Sequence, residues 1–438
     1  MTPIRRRTLT ALVGAAALLA VGCTSSEPQI PTGALDRPDE TPSTSVEPAA
    51  PTSTIESAIA EPDDPDLAAL PGLLVVRDSV GSIVVMRPSG AESVPLADVA
   101  GTRQSQPTWS PDGDQIAWSS DNASGSSVSI WNRSTGEVES WSTATSSFFH
   151  SFSPDGRWLA SLGPSEQAGV GLSMLATTPG SAVQPIAGGQ PFYFDWADDG
   201  ATLVAAVNGT TLAEIDPVSS ETIEIATPGA LSGFLAPAWV DSSAIVAIEG
   251  SVDGTIDVVR ADAPEGSAIA TADGPVSMSL SPDGTRLAIL AIGAADDAVS
   301  VGLQTAPQLS AGRLTLINLA TGELETRGED NVIASQWSPD SETIAILQVG
   351  DNSLRWSFAT GERTIDGPDY LPSQEFLSAY LRFAEQYNHN STWWSPDSQA
   401  FVLTGQIDGE GGVFVDIVDD DAAPRFVSDG DVAFWSSN

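Results

Sequence analysis

From Leu73 to the end of the chain, short apolar runs alternate with polar stretches rich in Gly, Asn, Asp and Ser. The runs come in sets, and most sets open on one motif. It reads Trp109-Ser110-Pro111-Asp112-Gly113, Phe152-Ser153-Pro154-Asp155-Gly156, Trp196-Ala197-Asp198-Asp199-Gly200 and Trp239-Val240-Asp241-Ser242-Ser243. It continues as Leu280-Ser281-Pro282-Asp283-Gly284, Trp337-Ser338-Pro339-Asp340-Ser341 and Trp394-Ser395-Pro396-Asp397-Ser398, and stops at Trp435-Ser436-Ser437. Pro presets φ for a tight turn, Asp bonds its own backbone and Gly accepts positive φ, so the motif predicts a reversal between two strands.

Apolar runs follow each turn. Ile116-Ala117-Trp118, Leu159-Ala160, Leu287-Ala288-Ile289 and Phe401-Val402-Leu403 predict second strands, and Val128-Ser129-Ile130-Trp131 and Leu314-Thr315-Leu316-Ile317 predict third ones. Thr135-Gly136-Glu137, Thr321-Gly322-Glu323 and Thr360-Gly361-Glu362 then predict a last turn. Alternating apolar runs parted by Gly, Asn and Asp mark antiparallel hairpins. The motif starts lie 43, 44, 43, 41, 57, 57 and 41 residues apart, a period that belongs to four-stranded propeller blades. The aromatic heading each motif is expected to fill the space between neighbouring blades.

The ends predict how the ring closes. Leu73–Arg77, Ser82–Met86 and Ser93–Leu96 are three strands with no motif before them, and Val432-Ala433-Phe434-Trp435 is a first strand with no followers. Joined, they make one blade and leave no exposed sheet edge. The predicted fold is an all-β β-propeller of eight four-stranded blades over residues 70–438, with seven blades as the alternative.

What precedes the repeats has another character. Arg5, Arg6 and Arg7, an apolar run from Ala11 to Val21, then Gly22 and Cys23 predict a signal peptide over residues 1–22. The run is too short to span a bilayer, which takes about 20 residues. Leu19-Ala20-Val21-Gly22-Cys23 resembles a bacterial lipobox, which implies lipidation of Cys23 and anchoring to the cell membrane. Ala20 stands where that pattern prefers Leu. Arg6-Arg7-Thr8-Leu9 also resembles a weak twin-arginine signal, so the export route stays open between that and the general secretory one. Residues 23–69 are rich in Pro, Ser, Thr, Glu and Ala with few bulky apolar side chains, so they predict a disordered stalk.

Charge then narrows the partners. The 438 residues carry 58 Asp and Glu against 17 basic residues, all of them Arg, for a net charge of -41. Such a chain repels phosphate backbones, which excludes nucleic acid as a partner. The single cysteine excludes an internal disulfide framework and any Cys-based zinc cluster.

The Trp-Ser-Pro-Asp-Gly repeat and its following apolar strand resemble the TolB-like, WD-like β-propeller repeats of bacterial envelope proteins and of prolyl-oligopeptidase propeller domains. The resemblance covers residues 70–438 and implies a propeller; propellers host many functions, so it does not choose among them. TolB has six blades, which differs from the eight counted here, and a role in the Tol system is not expected.

Two repeats are longer than the rest, by Ala294 to Ser310 and by Leu371 to Asn390. Phe376, Tyr380, Phe383 and Tyr387 are spaced 4, 3 and 4 apart in the second, which predicts an amphipathic helix of three to four turns. With His389 just beyond, these residues are the candidate partner-binding site, since long loops on a rigid scaffold carry recognition; a helix simply packed on the blade is the other reading. A hydrolase is not expected: His150 and His389 are the only histidines, and no Gly-x-Ser-x-Gly elbow occurs. Acidic stretches at Glu61–Asp66 and Asp416–Asp421 lack calcium-loop spacing and predict solvated surface. No catalytic residue, metal or cofactor is expected. The sequence reads as an extracytoplasmic, membrane-anchored lipoprotein that binds or scaffolds protein partners in the cell envelope. An accessory or sensor subunit of a transport complex, and a propeller enzyme acting on glycans or peptides, are its alternatives.

Overall fold

The computed structural model describes residues 64–97, 100–232, 235–252, 254–292, 298–299, 309–350, 353–381, 392–419 and 422–438. Cys23, Phe383, Tyr387 and His389 lie outside them. Strands dominate the described residues, all paired antiparallel, and no helix among them is long and apolar enough to cross a membrane.

The predicted meanders are present. Arg103–Trp109, Gln115–Asn122, Gly125–Asn132 and Val138–Thr143 form one four-stranded sheet in chain order. Phe149–Phe152, Trp158–Ser165, Gly169–Ala176 and Gln184–Gly189 form the next. Two more such sheets run over 192–225 and 238–273. From Val276 to Ser428 the ladders join into a ten-stranded sheet. The join arises because Leu324–Trp337 pairs through its first residues with Gly312–Asn318 and through its last with Thr343–Val349. Arg363–Pro372 does the same, and its Leu371 and Pro372 reach Gln406 and Gly405. The end strand behaves as the sequence predicts: Val432–Trp435 pairs with Leu74–Arg77, Leu74 opposite Trp435, in a sheet completed by Ile83–Met86 and Val94–Ala97.

Each turn is built by its own side chains. In five copies the motif serine hydroxyl donates to the motif aspartate over 2.5–2.7 Å, at Ser110, Ser153, Ser281, Ser338 and Ser395. The same oxygen accepts the amide five residues on, as from Gln115 at 2.9 Å. The turn's last residue needs a left-handed backbone, and Gly113 takes it at φ 67°. Ser341 and Ser398 stand at the equivalent place with φ 64° and 62°. Each adds a bond that glycine could not make: Ser341 accepts the Asp283 amide at 3.0 Å and Ser398 the Asp340 amide at 3.1 Å, tying one turn to its neighbour.

The motif aromatics lie between sheets, as expected. Trp109 donates its indole N–H to the Phe434 carbonyl at 3.2 Å, Trp196 to the Ser151 hydroxyl at 3.1 Å and Trp337 to the Ser279 carbonyl at 3.2 Å. In each case the acceptor is on the first strand of the preceding meander. A buried indole contributes large apolar area and must place its N–H, and these bonds do both. Trp239 departs from the pattern: it donates to Asp241 in its own turn and stays partly exposed.

The folded part starts earlier than residue 70. Pro65–Ala69 is a short helix capped by Asp64, and Leu67 is 2% exposed in the main core. Asp64 and Asp66 pair with Arg425 at 2.7 and 3.5 Å. Two of the acidic residues at that boundary therefore hold the fold rather than decorate a stalk.

Candidate functional site

The insertion after the Trp337 meander leaves the sheet at Pro372 and turns into helix at once. Ser373 caps it: its hydroxyl accepts the Phe376 amide at 3.0 Å and donates to the Asp431 carbonyl. The helix widens over Phe376–Tyr380 into a π-turn, closed by the Leu381 amide on the Phe376 carbonyl. Such widened turns are rare in helices and cluster at functional sites.

The apolar residues of this segment face inward. Phe376 and Tyr380, the two predicted partner-binding residues that are described, are 5% and 3% exposed. Phe376 packs edge-on against Trp393 with ring centroids 5.4 Å apart, and Tyr380 against Phe434 at 5.2 Å. Leu377 and Leu381 are buried beside them. These side chains anchor the segment instead of offering it, because two rings and two leucines have no reason to stay wet when aromatic neighbours are at hand. The face left outward is Gln374 and Ser378.

Glu375 joins a charged cluster beneath that face. It lies 3.1 Å from Arg103 and 3.8 Å from Arg77. Arg77 also pairs with Asp431 and donates through Nε to the Gln104 carbonyl at 2.8 Å. Burial pushes the Asp431 carboxyl above the usual range, Arg77 pulls it back only in part, and the charges of Glu375 and Asp78 push it further up. Its Oδ1 is buried without a hydrogen-bond partner among the described residues. Sequence reasoning missed this cluster, since Arg77, Arg103, Glu375 and Asp431 lie on four segments and no spacing links them.

His150 is buried, and its ring is held at both nitrogens by hydroxyls: Nδ1 is 2.8 Å from the Ser161 oxygen and Nε2 is 2.8 Å from that of Ser119. Burial depresses its pKa from 6.5 to about 3, so it is neutral at ordinary pH. Neither hydroxyl can balance an imidazolium as a carboxylate would, and the group suits a fixed hydrogen-bonding role. Among the described residues no group of three or more His, Cys, Asp or Glu is arranged to hold a metal ion.

No family model matches the chain, and no curated protein matches it. Solved structures do. Dihydro-heme d1 dehydrogenase NirN in complex with DHE is similar at a TM-score of 0.52 and 15% identity, over 84% of this chain and 76% of that one. The β-propeller domain of the trilobed protease from Pyrococcus furiosus, which has an open velcro topology, is similar at 0.47 and 14%, over 76% and 98%. TolB from Acinetobacter baumannii is similar at 0.37 and 14%, over 69% and 66%, so the chain spans just under two thirds of TolB's length. Identities this low concern the fold alone. Four-stranded antiparallel meanders in chain order, with tryptophans bonded back to the meander before, give the chain a β-propeller fold.

Proposed function

We propose that the protein is an extracytoplasmic binding or scaffold module without enzymatic activity. In this reading the Cys23 lipid holds it to the cell membrane, and the propeller has eight blades closed by Val432–Trp435. The eight motif positions in the sequence support the count, and the pairing of Leu74 with Trp435 supports the closure. The observation that carries the binding role is the anchoring of the insertion. Phe376, Leu377, Tyr380 and Leu381 fix its described part to the core, which supports reading the insertion as a contact built on a rigid base. The partner is a protein of the cell envelope, met across an acidic surface that favours neutral or cationic faces.

The test is in-cell crosslinking of the tagged full chain in its host, followed by mass spectrometry. A second strain carries residues 382–390 replaced by a Gly-Ser linker, which leaves the anchor intact. A discrete envelope protein caught by the first and lost in the second is the expected result. Capture of nothing above background, or turnover of glycans or peptides by the purified protein, would overturn the reading.

A further inference from the structure

Between the Trp109 sheet and the Phe152 sheet lies a cleft of about 790 Å³. Its origin is a local change in what the second sheet turns toward the first. Phe152, Leu159 and Leu175 pack on Ala117, Val128 and Ile130 of the neighbour. Strand side chains alternate between faces, so Ser161 and Gly163 share the face of Leu159, and Ser173 and Gly171 that of Leu175. Ser161 is paired with Ser173, and Gly163 with Gly171. Four small residues thus form a two-by-two patch where bulk is expected. At the position equivalent to Ser161 most other repeats carry bulk, as in Trp118, Ile289, Ile346 and Leu403, while the Trp196 repeat carries Ala205; all five are buried.

The patch is polar by construction. Ser119 has one hydroxyl proton and gives it to the Ser147 carbonyl at 2.9 Å. It must then accept from His150 Nε2–H, which leaves Nδ1 to accept the proton of Ser161. The Ser161 oxygen is thereby oriented, its lone pairs free to accept, on the wall of the cleft. Thr143 also lines the cleft, and its hydroxyl is buried without a hydrogen-bond partner among the described residues. A native structure keeps few such groups unless something satisfies them.

We infer that this cleft is a binding site for a neutral polyhydroxylated molecule of one or two sugar rings. The size falls within the range of about 300–1,000 Å³ typical of small-molecule sites. Among the described residues Glu166 is the only charged one lining it, which disfavours ions of either sign. Val128, Leu175 and Val183 supply apolar contact for the C–H face of a ring, while Ser161 and Thr143 meet its hydroxyls. The inference stands apart from the proposed partner function and does not depend on it.

Saturation-transfer NMR on the purified full chain, with glucose, N-acetylglucosamine, maltose, cellobiose and chitobiose as probes, tests it. At least one probe is expected to receive saturation. Ser161→Ala keeps the volume and removes the acceptor, and should weaken that binding about tenfold, the worth of one hydrogen bond. Gly171→Leu should abolish it by filling the space, with Ser173→Val as a milder filling variant should the leucine unfold the sheet. Absence of transfer to every probe would sink the idea, as would unchanged binding in a folded filling variant.

Discussion

At His150 a single buried ring couples stability to pH. Its pKa is about 3 in the fold against 6.5 when exposed. Above 6.5 the ring is neutral in both states and pH has no leverage. Below it the unfolded chain takes up a proton that the folded chain refuses, so stability drains as pH falls toward 3. The slope is about 1.4 kcal/mol per pH unit. His150→Gln should flatten the stability profile between about pH 6.5 and 5, above the range in which most carboxylates titrate. Urea denaturation across that window measures it; an equal slope in wild type and variant would mean that the histidine is not the source.

The inserted helix is an element held from both sides. Aromatic packing fixes its inner face, and Arg77 ties Glu375 and Asp431 together under its first turn. Arg77→Ala would leave two carboxylates facing each other, at a cost on the order of 2 kcal/mol, discounted because both are partly exposed. Asp431→Asn in that background should recover part of the loss, since it removes one uncompensated charge, and a double-mutant cycle by thermal denaturation reads the coupling. Legibility differed within this same element. The spacing of Phe376 and Tyr380 announced a helix with one apolar face, but periodicity cannot say whether that face meets solvent, a partner or the protein's own core. Trp393 and Phe434, which cover it, come from 17 residues downstream of Phe376 and from the far end of the chain. The turns were far more legible, because Ser, Pro, Asp and Gly act on their own backbone. Even there Ser341 and Ser398 hid their bonds to neighbouring turns, which depend on how meanders lie beside one another. The Ser161 patch was invisible for the same reason: a serine in a strand signals nothing until the bulkier residues at equivalent positions are set beside it.

For the molecule as a whole, the first and last strands hold a common sheet. Ser436 accepts the Leu73 amide at 2.9 Å, Trp435 donates to Pro71 at 2.8 Å, and Trp109 leans on Phe434 from the next sheet. Removing residues 432–438 would expose the Leu74–Arg77 edge and strip Tyr380 of its aromatic neighbour. Exposed apolar edges template association, so the truncated protein should elute as aggregate in size-exclusion chromatography and lose its cooperative melt. A monomer melting within a few degrees of wild type would show that the end strand is dispensable.

The two strands that each serve two meanders divide the molecule unevenly. Elsewhere neighbouring sheets are linked by a connecting segment that a protease could enter; between Leu324 and Trp337 the chain passes from one meander to the next as continuous strand, and at Leu371 and Pro372 it passes while still paired. Limited digestion therefore finds no linker to enter at these two junctions, and cuts between meanders should fall at the other boundaries, which peptide mapping of a nicked sample would read.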